Sequence, residues 1–409
     1  MRVIQVNAVY GTGSTGEIVK GIADVAQANG VETYFACANA PLTVSNNHII
    51  VIGNRLDHKL HAVYSRVFGK QGYASYLTTK KLLKWVDKVH PDIIHLHNLH
   101  SNYINVPVLF EYIKERKIQT VITMHDCWFL TGKCCHFLYN DCDRWKTGCG
   151  HCPRLKEELP SLFFDRSAAV WQEKKRYIGE NPFVHVVGCS MWITEVCKHS
   201  ILSNRVTGTI CNGIDTNVFR PRESSLREDL FTSNRYIILG MAGKWLANEN
   251  RQTFEYFLKH LREDELLLLI GCTQKQISNL PPNVKGIGFI RDRVELSEIY
   301  TAADVFVNVT KVDTFPTVNI EAMACGTPVI TYDSGGSAEI VTASTGRVVS
   351  YGNYKALRCA VDEIKQLGKK YFSQSCIDLI NNNYVREQCF QKYIDLYRNL
   401  LLEDKWVKQ

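Results

Sequence analysis

The 409 residues include only 11 prolines and no repetitive or low-complexity tract, which argues against a fibrous or disordered chain. The longest apolar stretches, such as 266–270, are strand-sized and fall far short of the roughly 20 residues needed to cross a bilayer. The opening residues carry neither the charged start nor the apolar middle of an export signal, so a cytoplasmic compartment is expected. Zinc-finger spacing, RNA-binding signatures and heptad-coupled basic regions are also missing, which argues against nucleic acid as a partner.

What is present is a composition of 45% hydrophobic and 22% charged residues, that of an ordinary folded protein. The length implies two domains of roughly 200 residues each. The net charge of +7 is unevenly spread, because residues 54–90 alone hold eight Lys/Arg against two Asp. Interleaved with them are Tyr64, Phe68, Tyr73, Tyr76 and Trp85. Cations beside interfacial aromatics suit an anionic lipid headgroup or a phosphate, so peripheral contact with the inner face of a membrane is expected.

Strand patterns fall at 2–7, 32–38, 49–52, 92–96, 120–124, 183–188 and 206–211, with helical stretches between most of them. A second series begins after a polar segment, at 236–242, 266–270, 284–288, 305–308 and 328–332. Alternation of this kind predicts an α/β protein of two doubly wound, mainly parallel sheets. The expected divisions are 1–214, 215–384 and a helical tail at 385–409, with the hinge near 212–221 and a cleft between the carboxyl edges of the sheets.

Gly11-x-Gly13-x-x-Gly16 follows the first strand and opens a helix, an arrangement whose backbone amides suit a phosphate. The second strand runs out through Phe35-Ala-Cys-Ala-Asn39 without a carboxylate, where a NAD-binding unit needs one for the ribose. A phosphate-cradling loop is therefore the reading, with a turn that binds nothing as its alternative. Near the other end, Asp313 precedes a helix and Glu321 lies within it, while Pro316 suits its first turn. The free amides of Thr317 and Val318 would face an anion between the two carboxylates, a combination suited to a sugar nucleotide.

Fifteen cysteines without an export signal are expected to be mostly thiols. Six of them crowd into 26 residues, Cys127 to Cys152. Within this insert, 127–155, the series Cys134-x7-Cys142-x6-Cys149-x2-Cys152 supplies four sulfurs. The last pair has the short spacing that lets both reach one ion. A structural zinc on these four is the expectation, with disulfides or plain thiols as alternatives. His125 and Asp126 end a central strand, where a functional crevice is expected; His95 and His97 read equally well as structural.

Several motifs in order along the chain make it resemble the retaining glycosyltransferases of family 4, which have the GT-B fold. They are the glycine loop, Pro91-Asp-Ile-Ile-His-Leu-His97-Asn, Thr123-Met-His125-Asp126-Cys-Trp128, Asn212-Gly-Ile-Asp215 with Phe219-x-Pro221, and the acid pair before Ala322-x-Ala324-x-Gly326-x-Pro328-Val329. Within the family the cysteine-rich stretch is most similar to bacterial enzymes of capsule and exopolysaccharide assembly. The resemblance implies an acceptor-binding N-terminal domain, a nucleotide-sugar-binding C-terminal domain and a last helix that crosses back to the first. It gives Glu321 the nucleotide ribose, Asp313 the sugar hydroxyls, Gly13 and Gly16 the diphosphate from across the cleft, and His125 the transferred sugar. A nucleoside diphosphate sugar is the implied donor, a saccharide or lipid-linked oligosaccharide the acceptor, and no catalytic metal is required.

Two positions depart from the family pattern. Asp313 stands where Glu is usual, shortening the reach by one methylene. After the first donor-domain strand, Lys244 matches the first of two expected cations, but the second position is Glu249, leaving Arg251 as a substitute. A catalytically weak binding protein on this fold, and a NAD-dependent oxidoreductase, are the competing readings.

Overall fold

The structure, a computed structural model, describes residues 1–39, 48–229 and 235–407. Residues 230–234 of the polar segment and 408–409 of the tail lie outside the described residues. The chain divides into two compact units, Met1–Asn212 with Cys389–Gln409, and Gly213–Gln388.

The first unit holds strands β1 (Arg2–Val9), β2 (Glu32–Asn39), β3 (Ile49–Val51), β4 (Ile93–Leu96), β5 (Gln119–Met124), β6 (Val184–Gly188) and β7 (Val206–Thr209). They form one parallel sheet in the order β3-β2-β1-β4-β5-β6-β7. The second unit holds β8 (Tyr236–Met241), β9 (Glu265–Ile270), β10 (Val284–Ile287), β11 (Val305–Asn308), β12 (Val329–Asp333) and β13 (Gly346–Ser350). Their order, β10-β9-β8-β11-β12-β13, is again parallel. All twelve expected strands form, with ends displaced by no more than two residues. The thirteenth, β13, was not anticipated: Gly, Arg and Ser dilute its apolar pattern, and as an edge strand it is half exposed. Gly346 is what lets it approach, because a Cβ there would lie 1.8 Å from the Val329 carbonyl oxygen.

Burial explains why these segments extend. The run Leu266–Ile270 in β9 is shielded on both faces, as central parallel strands require. At its start Glu265 is buried too, held by the Arg358 guanidinium at 2.6 and 2.9 Å and by Lys365 at 3.1 Å. In the first unit the helix Gly13–Ala28 buries Ile18, Ile22, Val25 and Ala26. The same hydrophobic cluster takes in Phe390, Tyr393, Ile394, Tyr397 and Leu400 of the last helix, Arg386–Val407, together with Val3, Ile93 and Val121 of the sheet. At about 1.5–3 kcal/mol for each large apolar side chain removed from water, this contact is a principal anchor of the C-terminal segment.

In an open parallel sheet, ligands bind outside the carboxyl ends of the strands where the strand order reverses. That point lies between β1 and β4 in the first unit and between β8 and β11 in the second.

Candidate active site

In the first unit the reversal point gathers the glycine loop after β1, His97 after β4 and His125 after β5. Gly11 and Gly13 adopt positive φ of 62° and 66°, a conformation costly for residues with a Cβ. Gly16 serves packing, since a Cβ there would sit 3.2 Å from the Gly11 nitrogen and from Val9 Cγ2. The helix begins at Gly13, and Thr12 at its N-cap offers no side-chain hydrogen bond. The first-turn amides therefore have neither an intrahelical nor a capping acceptor.

His125 is half-buried, its Nε2 2.9 Å from His97 Nδ1 and the two rings stacked at 5.2 Å. Burial lowers its pKa to about 4. His97 and His95 are buried completely and lowered further by the same desolvation. His95 bridges Tyr397 Oη at 2.6 Å and Thr123 Oγ1 at 2.8 Å, which gives it the structural role that one sequence reading allowed.

Asp126 faces away from this row. Its Oδ2 meets His100 Nε2 at 2.9 Å and its Oδ1 accepts from the Trp128 amide at 2.7 Å. Asp126 keeps its carboxyl near 2: burial opposes ionisation, but the His100 charge and hydrogen bond outweigh it. Cys135 lies beside the pair, and His100, Asp126 and Cys135 form the one group of three metal-ligating side chains with mutually close atoms among the described residues. Both carboxylate oxygens are already engaged, so the arrangement works as an ion pair fixing the loop behind His125.

The cysteine-rich insert differs from the expected closed four-sulfur site. The Cys134 and Cys152 thiols share a hydrogen bond, and Cys149 Sγ accepts from the Gly132 amide at 3.3 Å. Cys142 is a further neighbour of Cys149. No three of the four sulfurs come within 4.8 Å of one another among the described residues. Trp145 stacks on Phe137 at 4.7 Å, both largely buried. Lys133 Nζ donates to the carbonyls of Arg154 and Glu157, at 2.8 and 2.7 Å. Beneath lies buried Lys174, 3.6 Å from the Trp128 ring centre and bonded to the Thr131 carbonyl. Desolvation lowers this lysine to about 7.

In the second unit the reversal point brings together the turn after β8 and the segment after β11. Lys244 lies half-buried in the single turn Ala242–Trp245. Trp245 locks that turn by donating from Nε1 to the Val307 carbonyl at 3.0 Å. The indole fits because residue 240 is glycine; a Cβ there would be 2.1 Å from Trp245 Nε1. Arg251 opens the helix Arg251–His260 and is largely exposed, paired at 2.8 Å with Glu255 one turn on. Glu249 is exposed, and its carbonyl takes a long 3.5 Å contact from Tyr351 Oη. Over the Tyr351 ring, at 5.6 Å, sits Lys311, a cation near the Glu249 position that sequence reasoning missed.

Asp313 makes a tight local turn: its Oδ1 accepts from the Phe315 amide at 3.1 Å, and its carbonyl from the Gly336 amide at 2.9 Å. Pro316 is the N-cap rather than part of the first turn, and the helix is Thr317–Ala324. Thr317 and Val318 are half-buried at its start. Glu321 lies deeper, with Tyr300 Oη donating to it at 3.3 Å and the Arg293 guanidinium in ion-pair range at 3.8 Å. Neither partner was singled out in the sequence, since Tyr300 and Arg293 come from the preceding helix, Arg293–Ala302, and belong to no motif.

Residues 232–384 match the model of glycosyl transferases group 1, and residues 16–218 that of glycosyltransferase family 4. WcaC of Escherichia coli K12, named as a colanic acid biosynthesis glycosyl transferase, is 25% identical over 76% of this chain and 77% of its own. Alpha-maltose-1-phosphate synthase of Mycobacterium tuberculosis is 26% identical over 61% of this chain and 70% of its own. Among solved structures, sucrose-phosphate synthase of Thermosynechococcus elongatus superposes with a TM-score of 0.75 at 18% identity, over 98% of this chain and 99% of its own. Anabaena Alr3699/HepE, solved in complex with UDP-glucose, gives 0.69 at 15% identity, over 98% and 100%. With the second sheet wholly inside one matched segment, every strand of the first but β1 inside the other, and the acid pair, glycine loop and His125 at the reversal points, the chain belongs to the family 4 glycosyltransferases of GT-B fold.

Proposed function

We propose that this glycosyltransferase is a retaining, metal-independent enzyme that moves a sugar from a nucleoside diphosphate sugar to a hydroxyl of a lipid-linked saccharide in bacterial surface-polysaccharide assembly. The observation that carries the reading is the Asp313–Glu321 segment, where two carboxylates bracket a helix start whose first amides lack intrahelical acceptors. In this reading Glu321 grips the ribose, and the amides of Thr317 and Val318 face the diphosphate. Asp313 takes the sugar hydroxyls. Gly13 and Gly16 keep the first unit's loop open to phosphate, and His125 meets the transferred sugar.

The bond from the anomeric carbon to the phosphate oxygen breaks with its electrons going to the diphosphate. The acceptor hydroxyl attacks from the same face, and its proton passes to the departing phosphate. Such a route needs no separate base. It does need positive charge at the leaving group, where one well-placed donor can be worth about 2.7–4 kcal/mol. Lys244 and Arg251 are suited to that duty, the exposed Arg251–Glu255 pair being weak enough to open, and Lys311 is a further cation nearby.

Support for a lipid-linked acceptor comes from the helix Arg55–Phe68. Leu56, Leu60 and Val63 form one face of it, each more than half exposed, and Arg55, Lys59 and Arg66 lie alongside. An apolar stripe rimmed by cations suits the surface of an anionic membrane, and no described helix is long and apolar enough to cross one. The biosynthetic setting follows the likeness to WcaC. A structural zinc on Cys134, Cys142, Cys149 and Cys152 belongs to the same reading; it requires Cys142 and Cys149 to close on the Cys134–Cys152 pair.

The test is transfer from a panel of UDP- and GDP-sugars to lipid-linked acceptors, with the anomeric configuration of the product read by NMR. Retention is expected. Inversion would refute the mechanism, and absence of any nucleotide-dependent thermal stabilisation would refute the donor assignment.

A further inference from the structure

The half-buried ring of His125 stands at the end of a hydrogen-bonded row whose far end fixes the direction of every proton in it. Gln5, buried in β1, has its Nε2 3.1 Å from the Val19 carbonyl oxygen. A carbonyl can only accept, so the Gln5 amide NH2 faces Val19 and its Oε1 faces the other way. That Oε1 lies 3.1 Å from His97 Nε2, which must therefore carry a hydrogen. A neutral imidazole has one N–H, so His97 Nδ1 is an acceptor. The atom facing it at 2.9 Å, His125 Nε2, must then donate. The remaining nitrogen, His125 Nδ1, bears a lone pair and has no hydrogen-bond partner recorded among the described residues.

We infer that Gln5 is a positioning residue: acting through His97, it holds His125 in the Nε2–H tautomer and so presents Nδ1 to the substrate as a hydrogen-bond acceptor. This rests on the reading that His125 meets the transferred sugar. It deepens that reading by specifying the chemistry, because an acceptor nitrogen selects a hydroxyl donor and offers nothing to a phosphate oxygen. Desolvation keeps the rings neutral, which the relay requires, since a protonated His97 would have no lone pair for its neighbour. His95, whose ring centre is 4.1 Å from that of His97, is satisfied separately by Tyr397 and Thr123 and stays outside the row.

The row can be reversed by a substitution that touches neither histidine. In Gln5→Leu the His97 Nε2–H loses its acceptor in a buried site, and the ring gains by moving its hydrogen to Nδ1 and donating to His125 Nε2. His125 must then carry its own hydrogen on Nδ1. Gln5→Glu is the conservative control. Burial favours a neutral carboxyl there, whose O–H can donate to Val19 while its other oxygen still accepts from His97.

The experiment is long-range 15N–1H NMR of histidine-labelled full-length protein, paired with transfer kinetics. Wild type and Gln5→Glu should show a protonated Nε2 and an unprotonated Nδ1 for His125, and Gln5→Leu the reverse. In Gln5→Leu kcat should fall about tenfold, the scale of one neutral hydrogen bond, with UDP affinity unchanged and activity restored in Gln5→Glu. A protonated Nδ1 in the wild type, or an unaltered His125 pattern in folded Gln5→Leu, would overturn the proposal. Should Gln5→Leu fail to fold, the wild-type and Gln5→Glu spectra still decide. Undiminished transfer in His125→Ala would instead refute the sugar-contact reading while leaving the tautomer result intact.

Discussion

Replacing Glu321 separates nucleotide binding from sugar positioning. Its carboxylate is largely buried; the fully buried Tyr300 hydroxyl donates to it at 3.3 Å, and the Arg293 guanidinium makes a charge contact at 3.8 Å. A charged hydrogen bond to ribose is worth about 1.5–3 kcal/mol, so Glu321→Ala should weaken nucleoside diphosphate binding roughly ten- to hundredfold. The same change strands the Tyr300 hydroxyl in the interior, costing about 1–3 kcal/mol of stability. Arg293 adds little to that loss, since its contact is long and partly exposed. Glu321→Gln is the discriminating variant: its amide oxygen can still accept from Tyr300, so the melting point should recover while nucleotide affinity stays reduced. Asp313→Ala should do the opposite, binding nucleotide almost as wild type but turning over slowly, because sugar contacts orient the anomeric carbon. Titration calorimetry with the stabilising nucleotide, thermal unfolding and a transfer assay read the three effects. Wild-type nucleotide affinity in folded Glu321→Ala would refute the ribose assignment.

Protein purified without chelator should carry about one equivalent of zinc, lost in Cys149→Ser; less than half an equivalent, or an unchanged content in the variant, would remove the four-thiolate site. Full-length protein should sediment with anionic but not neutral vesicles at low salt, and Leu56→Ser with Leu60→Ser should abolish this; equal sedimentation with both vesicle types would count against the membrane face. Burial lowers His61, His125 and His185 to about 4, so below pH 6.5 the unfolded chain takes up their protons first and stability falls as pH drops from about 6.5 to 4. At pH 5 the loss relative to pH 7.5 is up to about 2 kcal/mol per ring. His100 partly offsets it: burial lowers its pKa, but Asp126 raises it on balance. Urea unfolding at the two pH values checks the sign, and equal stability would contradict it.

The two sheets were legible because buried parallel strands are written as short β-branched or leucine runs between helical patterns, as in β1 and β9. β13 was not, because half of it faces outward and its identifying feature, a glycine lying against the neighbouring backbone, has no periodic signature. Motif spacing marked Arg251 as a stand-in cation, but spacing does not say where a helix turns. Arg251 opens one, and Glu255, four residues on, becomes its natural partner. The cysteine spacing was plain in the sequence. What it left out was how the insert is held, since the Phe137–Trp145 stack and the Lys133 contacts exist only once the chain has folded back on itself.

The histidine row shows where the limit lies. His95, His97 and His125 stand out in the sequence as ring-bearing residues near strand ends, yet alternation alone divides them wrongly: His95 and His97 look equivalent. They separate because β4 lies between β1 and β5, with Gln5 paired in register with His95 and Thr123 on the next strand. From that position His95 reaches Thr123 and the last helix, while His97, two residues on, reaches Gln5 and His125. Gln5 and His97 are 92 positions apart, and His97 and His125 28. Their acceptor and donor assignments follow from a carbonyl in yet another element, the helix Gly13–Ala28. Strand order thus decides which histidine is tied into the core and which, in the proposed reading, presents a defined lone pair to the sugar, and strand order is the part of the fold that a single sequence states least directly.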